Sequence, residues 1–103
     1  MTNVNNSRPN IGVGQTPDST LVGDTNTEIV ATNPNRIAVF LVNIGKNNVW
    51  LSCDENAILD KGLLLAANGG SLLIDSTAFS KGVINGICNS GKSSIIAFQE
   101  LNK

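Results

Sequence analysis

From residue 28 onward, short apolar runs alternate with clusters of Asn, Gly, Ser and Pro. That is the spacing of short strands and turns. Before that point the chain is mostly polar. Residues 1–27 hold six hydrophobic side chains, Met1, Val4, Ile11, Val13, Leu21 and Val22, among five Asn, five Thr, three Gly and two Pro. A segment of this makeup cannot bury enough apolar area by itself to offset its ordering entropy. The division predicts an extended polar N-terminal arm over 1–27 and a β-domain over 28–103. Fully extended, such an arm reaches roughly 90 Å. Removing residues 1–26 is expected to leave the domain folded.

Within the domain the pattern predicts about seven strands, which indicates an all-β sandwich or small barrel. Their spans are Thr27–Ala31, Arg36–Asn43, Val49–Cys53, Gly62–Ala66, Ser71–Asp75, Val83–Cys88 and Ser93–Leu101. Asn33-Pro34-Asn35 and Gly45-Lys46-Asn47-Asn48 are turn chemistry. Asn68-Gly69 suits a turn with positive φ at both residues, so 62–66 and 71–75 read as a hairpin. Asn85-Gly86 suggests a bulge. Cys53–Lys61 and Ser76–Lys81 read as loops. Period alone leaves a helix open for 93–103, but Ile95, Ile96 and Phe98 favour a strand.

The strand over 36–43 is apolar on both faces. Ile37, Val39 and Leu41 alternate with Ala38, Phe40 and Val42. Such a strand is sandwiched between layers or covered by another subunit. Ala38, Phe40 and Val42 are therefore candidates for self-association.

Composition narrows the chemistry. The chain has 103 residues, one domain's worth, and 41% are hydrophobic. Only 15% are charged, and the gap is filled by 15 Asn, 9 Ser and 7 Thr. Seven cations spread along the chain, with a net charge of −1, make no basic stripe for a phosphate backbone. No nucleic-acid partner is expected. The chain contains no His, the side chain most used for proton transfer near neutral pH and a common metal ligand. Neither catalysis nor a metal or cofactor is expected. The longest apolar runs, about seven residues, fall far short of the ~20 that span a bilayer, so no membrane partner is expected. The opening MTNVNNSRPN has no apolar signal segment, which predicts synthesis in the cytoplasm without export by that route.

Several motifs invite a chemical reading. Gly86-Ile87-Cys88-Asn89-Ser90-Gly91-Lys92-Ser93 fits the phosphate-cradling pattern G-x-x-x-x-G-K-[ST]. Only ten residues follow Ser93, too few for the parallel sheet that pattern serves, so a hairpin turn is expected. Asp54, Glu55, Asn56 and Asp60 lack the spacing of a calcium loop and read as a solvated loop. Cys53 and Cys88 have no His partner and are expected as free buried thiols. Trp50, the single Trp, reads as core or interface; with Asn47 and Asn48 it could instead form a sugar platform.

Asn33-Pro34-Asn35-Arg36-Ile37-Ala38, followed by Asn43-Ile44-Gly45, resembles the opening of a small β-domain found in virion proteins of tailed bacteriophages. Gly62-Leu63-Leu64-Leu65, Gly69-Gly70-Ser71-Leu72 and Gly86-Ile87-Cys88-Asn89-Ser90-Gly91 are similar to its later signposts. The resemblance spans residues 28–101 and leaves the arm unexplained. It implies a β-sandwich or jelly-roll domain without enzymatic activity, used as capsid decoration, head-fibre base or tail module. Because the long arm is joined to no second domain, a capsid auxiliary protein is the closer likeness. Such a protein would sit on the virion's capsid surface. Its arm, including Arg8, Pro9 and Ile11, would bind the major capsid protein. Its β-domain would self-associate, as a trimer.

Overall fold

Residues 12–75 and 81–103, the residues described in this computed structural model, form nine β-strands and no helix. The strands are β1 (Val13–Gly14), β2 (Asp18–Val22), β3 (Thr27–Val30), β4 (Arg36–Asn43), β5 (Val49–Cys53), β6 (Leu63–Leu65), β7 (Ser71–Ile74), β8 (Ile84–Ile87) and β9 (Ser94–Asn102). Each forms where β-branched or apolar residues stand between Asn-, Gly- or Ser-rich turns. The C-terminal segment is a strand, as its Ile and Phe content favoured.

All pairings are antiparallel. In one sheet β9 pairs on one side with β4, which pairs in turn with β7. On its other side β9 carries β1 and β2 end to end, from Val13↔Asn102 to Val22↔Ser94. Pro17 falls in the gap between β1 and β2, where its missing N–H costs no ladder bond. The second sheet runs β3-β8-β5-β6. Taking β1 and β2 as one interrupted strand, the first strand pairs with the last, β3 with β8, β4 with β7 and β5 with β6. An antiparallel ribbon is thus rolled up so that its successive pairs fall alternately in two sheets, the jelly-roll order.

This topology corrects several expectations. Residues 13–22, expected in the arm, are strands of the sandwich, and Val22 is a fully buried core residue. The boundary at 27 therefore falls inside the fold. The polar makeup of the segment is compatible with a strand because the β9 ladder satisfies its backbone. Asn68 and Gly69 do adopt positive φ, 60° and 111°. They make no hairpin, however, because β6 and β7 belong to opposite sheets. The 89–92 turn, closed by Lys92 N donating to Asn89 O at 2.9 Å, likewise joins opposite sheets. The register shift near β8 lies on its partner, between Glu28 and Val30, and not at Asn85-Gly86. Gly86 is needed for space: a Cβ there would stand 2.6 Å from Ile29 Cδ1. Ile37 is the extra residue of a bulge between Arg36 and Ala38, so the strand's first inward side chain is Arg36 and not Ile37. The 76–81 loop lies outside the described residues except for Lys81.

Between the sheets Val22, Ile29, Val30, Val39, Leu41, Val49, Leu51, Leu65, Ile74, Ile84, Cys88 and Ile96 form one core. Two buried polar groups stand at its ends, both on β4. Arg36 Nε meets Glu100 Oε2 at 2.8 Å, and its other nitrogens donate to Gly82 O at 3.0 Å and Ala31 O at 2.8 Å. Asn33 Nδ2 donates to the same Glu100 oxygen at 3.1 Å, and Lys81 Nζ donates to Arg36 O at 2.8 Å. At the other end Asn43 Nδ2 donates to Asn47 O and Leu65 O, while its Oδ1 accepts from Gly45 N and Ser94 Oγ. Polar groups so far from water are tolerated only when hydrogen-bonded. Gly45 lets the chain pass close to β9; a Cβ there would collide with Ser94 Oγ and lie 2.8 Å from Ile95 N.

Candidate functional site

The strand alternation that fills the core with Val39 and Leu41 turns Ala38, Phe40 and Val42 to the outer side of the five-stranded sheet. The three residues do share one face. Phe40 lies between Leu73 of β7 and Gln99 of β9, and Val42 between Ser71 and Ala97. The row continues through Ile95, opposite Leu21 on β2. No second layer of the described chain covers this face. Leu21 is 63% exposed, Phe40 49%, Leu73 45% and Ile95 39%. Together these four side chains expose roughly 350 Å², the scale of the largest apolar patch on a typical monomer. None of the outward residues on β4, β7 and β9 from Ala38 to Leu101 is charged. Beside Phe40 is an open hollow of about 220 Å³ lined by Pro17, Asp18, Val42, Ala97, Phe98 and Gln99. It is smaller than the ~300–1,000 Å³ usual for small-molecule sites and suits a protein side chain better.

Leu21, Leu73 and Ile95 extend this face beyond the three residues that the β4 alternation predicts. Their signal was nonetheless present: Leu21-Val22, Leu72-Leu73 and Ile95-Ile96 are adjacent apolar pairs, which place one residue on each side of a strand.

The opposite sheet has its own outer face. Trp50 is half-buried there between Leu64 of β6 and Ile87 of β8. Farther along, the loop after β5 crosses this face, held by Asn85 Nδ2 donating to Glu55 O at 2.9 Å and Ala57 N donating to Asn26 Oδ1 at 2.7 Å. Asp54, Glu55, Asn56 and Asp60 belong to that strapping loop. Asn47 Nδ2 donates to Ser93 O, and Asn48 Oδ1 accepts from Ala67 N. These amides tie turns together, Asn47 to the turn before β9 and Asn48 to the turn after β6. Arg8, Pro9 and Ile11 lie outside the described residues.

Both cysteines are free, Cys88 buried and Cys53 partly so. Burial raises both thiol pKa values. Asp24 adds to the rise at Cys88 and Asp54 at Cys53, where Arg36 opposes it. Neither thiol is thereby activated as a nucleophile.

Fold and surface together define a jelly-roll β-sandwich with one uncharged apolar outer face. No family model, curated protein or solved structure was found to match the chain.

Proposed function

We propose that the chain is a structural protein of a tailed-bacteriophage virion, a non-enzymatic capsid auxiliary or decoration protein. Its N-terminal residues, including Arg8, Pro9 and Ile11, bind the major capsid protein. Its β-domain contacts sister copies through Ala38, Phe40 and Val42. The observation that carries this reading is the uncharged apolar face around Phe40, which an isolated domain leaves in water. Jelly rolls recur in viral capsid and lectin domains, so the fold agrees with the reading without requiring it. The resemblance at Asn33–Ala38 and Asn43–Gly45 supports it further.

The test is co-sedimentation with purified capsids. The full chain should saturate its sites, a chain of residues 12–103 should lose binding, and Phe40→Asp should lower occupancy at limiting protein. Full occupancy by the 12–103 chain would sink the arm's role. Electron microscopy of virions that places the polypeptide in the tail or fibre would sink the capsid assignment.

The outward Trp50 supports a second reading, a carbohydrate-binding sandwich. A glycan-array signal abolished by Trp50→Ala, with strong acrylamide quenching of Trp50 fluorescence, would favour it over the first.

A further inference from the structure

We propose that β7 is a self-pairing edge: two copies of the chain join antiparallel along Ser71–Ile74 about a two-fold axis at Leu72 and make one continuous sheet. The first observation is the direction of its backbone groups. Residues facing one another across an antiparallel pair alternate between those that exchange both ladder bonds and those that exchange none. Asn43 N donates to Gly70 O at 2.8 Å, so on β7 the bonds to β4 continue from Leu72 and Ile74. The N–H and C=O groups of Ser71 and Leu73 therefore point away from β4, along the sheet's outer edge. Among the described residues no strand pairs with that side of β7.

The second observation is that the other edge strands are blunted. A free edge is a template for another strand unless Pro, a charge, a bulge or shortness spoils it. β1 and β2 are interrupted at Pro17, and the exposed Asp18 follows. β3 carries the exposed Glu28, has a register shift between Glu28 and Val30, and has its Ile29 O occupied by Thr20 Oγ1, which donates at 3.1 Å. β6 has only three residues, and its Leu65 O accepts from Asn43 Nδ2 at 2.9 Å. β7 keeps an unbroken register with β4 over four residues, with no Pro, no charge and no bulge.

The sequence around this edge suits a second copy of itself. A two-fold axis sets each residue near its own twin, where like charges would repel. No residue in 63–74 is charged. With the axis at Leu72, Ser71 faces the partner's Leu73 and Leu73 faces the partner's Ser71, and each of these pairs exchanges both ladder bonds. The two outer faces then meet edge to edge, and their Phe40–Leu73 rows join in one apolar surface. The contact buries less than the ~800 Å² per partner of a standard stable interface, so it is reversible, with a dissociation constant on the order of 0.1 mM. Copies held side by side would pair readily, because their effective concentration is high. The contact uses the edge of the sheet and not the face around Phe40, and it stands without the virion reading.

The test uses the isolated full chain and needs no capsid. Sedimentation velocity from about 10 μM to about 1 mM should show monomer passing to dimer. Amide hydrogen exchange at Ser71 and Leu73 should slow about fivefold over the same range, because ladder pairing protects those N–H groups. Leu73→Pro removes an N–H that β4 does not use, and Leu73→Lys adds a charge to the edge. Each should raise the dissociation constant about tenfold or more. Leu73→Lys keeps every ladder bond to β4, so its effect does not depend on how the proline variant folds. A chain that stays monomeric at about 1 mM overturns the inference. So does a trimer, because a self-paired edge closes at two copies. A dimer in which the Ser71 and Leu73 amides exchange at the monomer's rate, while those of Leu21 and Phe40 shift, assigns the association to the sheet face and overturns the edge pairing.

Discussion

Arg36 is wholly buried, yet its charge is met by Glu100 and two backbone carbonyls. Such an arrangement adds little over a well-packed apolar substitute, but removing one partner strands the other charge. Glu100→Gln should therefore cost about 3 kcal/mol, read as a lower urea midpoint with an unchanged slope. A cost below the error of the measurement would show that the carbonyls alone hold the guanidinium. The thiols make a separate prediction. Their pKa values are raised in the folded chain, so the native state holds those protons more tightly than the unfolded one. Stability is complete below the ordinary thiol value of 9.0 and declines as pH rises through it toward the folded-state values. Urea midpoints should hold steady from pH 7 to 8 and fall above pH 9, and Cys88→Ala should fall less steeply. The chain has no Tyr, so no phenol titrates in the same range.

At the scale of elements, β1 and β2 matter most. They complete one edge of the sandwich and carry Val22 into the core. A 12–103 chain should unfold cooperatively in urea, whereas a 24–103 chain, with β9 unpaired along that edge and Val22 gone, should show no cooperative transition by circular dichroism. Cooperative unfolding of the shorter chain would mean that the arm does extend to residue 27. Strand identity was largely legible: Arg36–Asn43 and Val49–Cys53 form as the apolar runs predict. Pairing was not. Among strands adjacent in sequence, only β5 and β6 pair. A turn such as Asn68-Gly69 specifies local φ but says nothing about which sheet the chain enters next. The edge strand over 18–22 was hidden for a related reason. Asp18, Ser19 and Thr20 are polar, and the β9 ladder that fixes them is some eighty residues away. For the outer face, the two-sided apolar pattern of β4 is visible in the sequence, whereas the pairs on β2, β7 and β9 join one face only through the sheet topology.

The whole molecule inherits the cost of joining its ends. The β2–β9 ladder links residues 18–22 to 94–98, and β4 pairs with β9 across more than fifty residues of chain. Contacts so far apart in sequence require loop closure before they yield stability, which places jelly rolls among slow folders. Refolding followed by Trp50 fluorescence in a stopped-flow instrument should take on the order of milliseconds to seconds. Complete refolding within microseconds would mean that local structure dominates the barrier.

The same ladder sets how the molecule bears force. Val13 stands opposite Asn102, so both ends of the folded body emerge at one end of an antiparallel pair. A pull applied between them opens the pair like a zipper, breaking the cross-strand bonds one after another. Traction between the termini therefore meets little resistance. A pull on the N-terminal segment against a body held by its sheet faces would load the bonds of β1 and β2 along the strands, many at once. Residues 1–11 join the body at that end, so a force entering through them meets the sandwich in its strong direction.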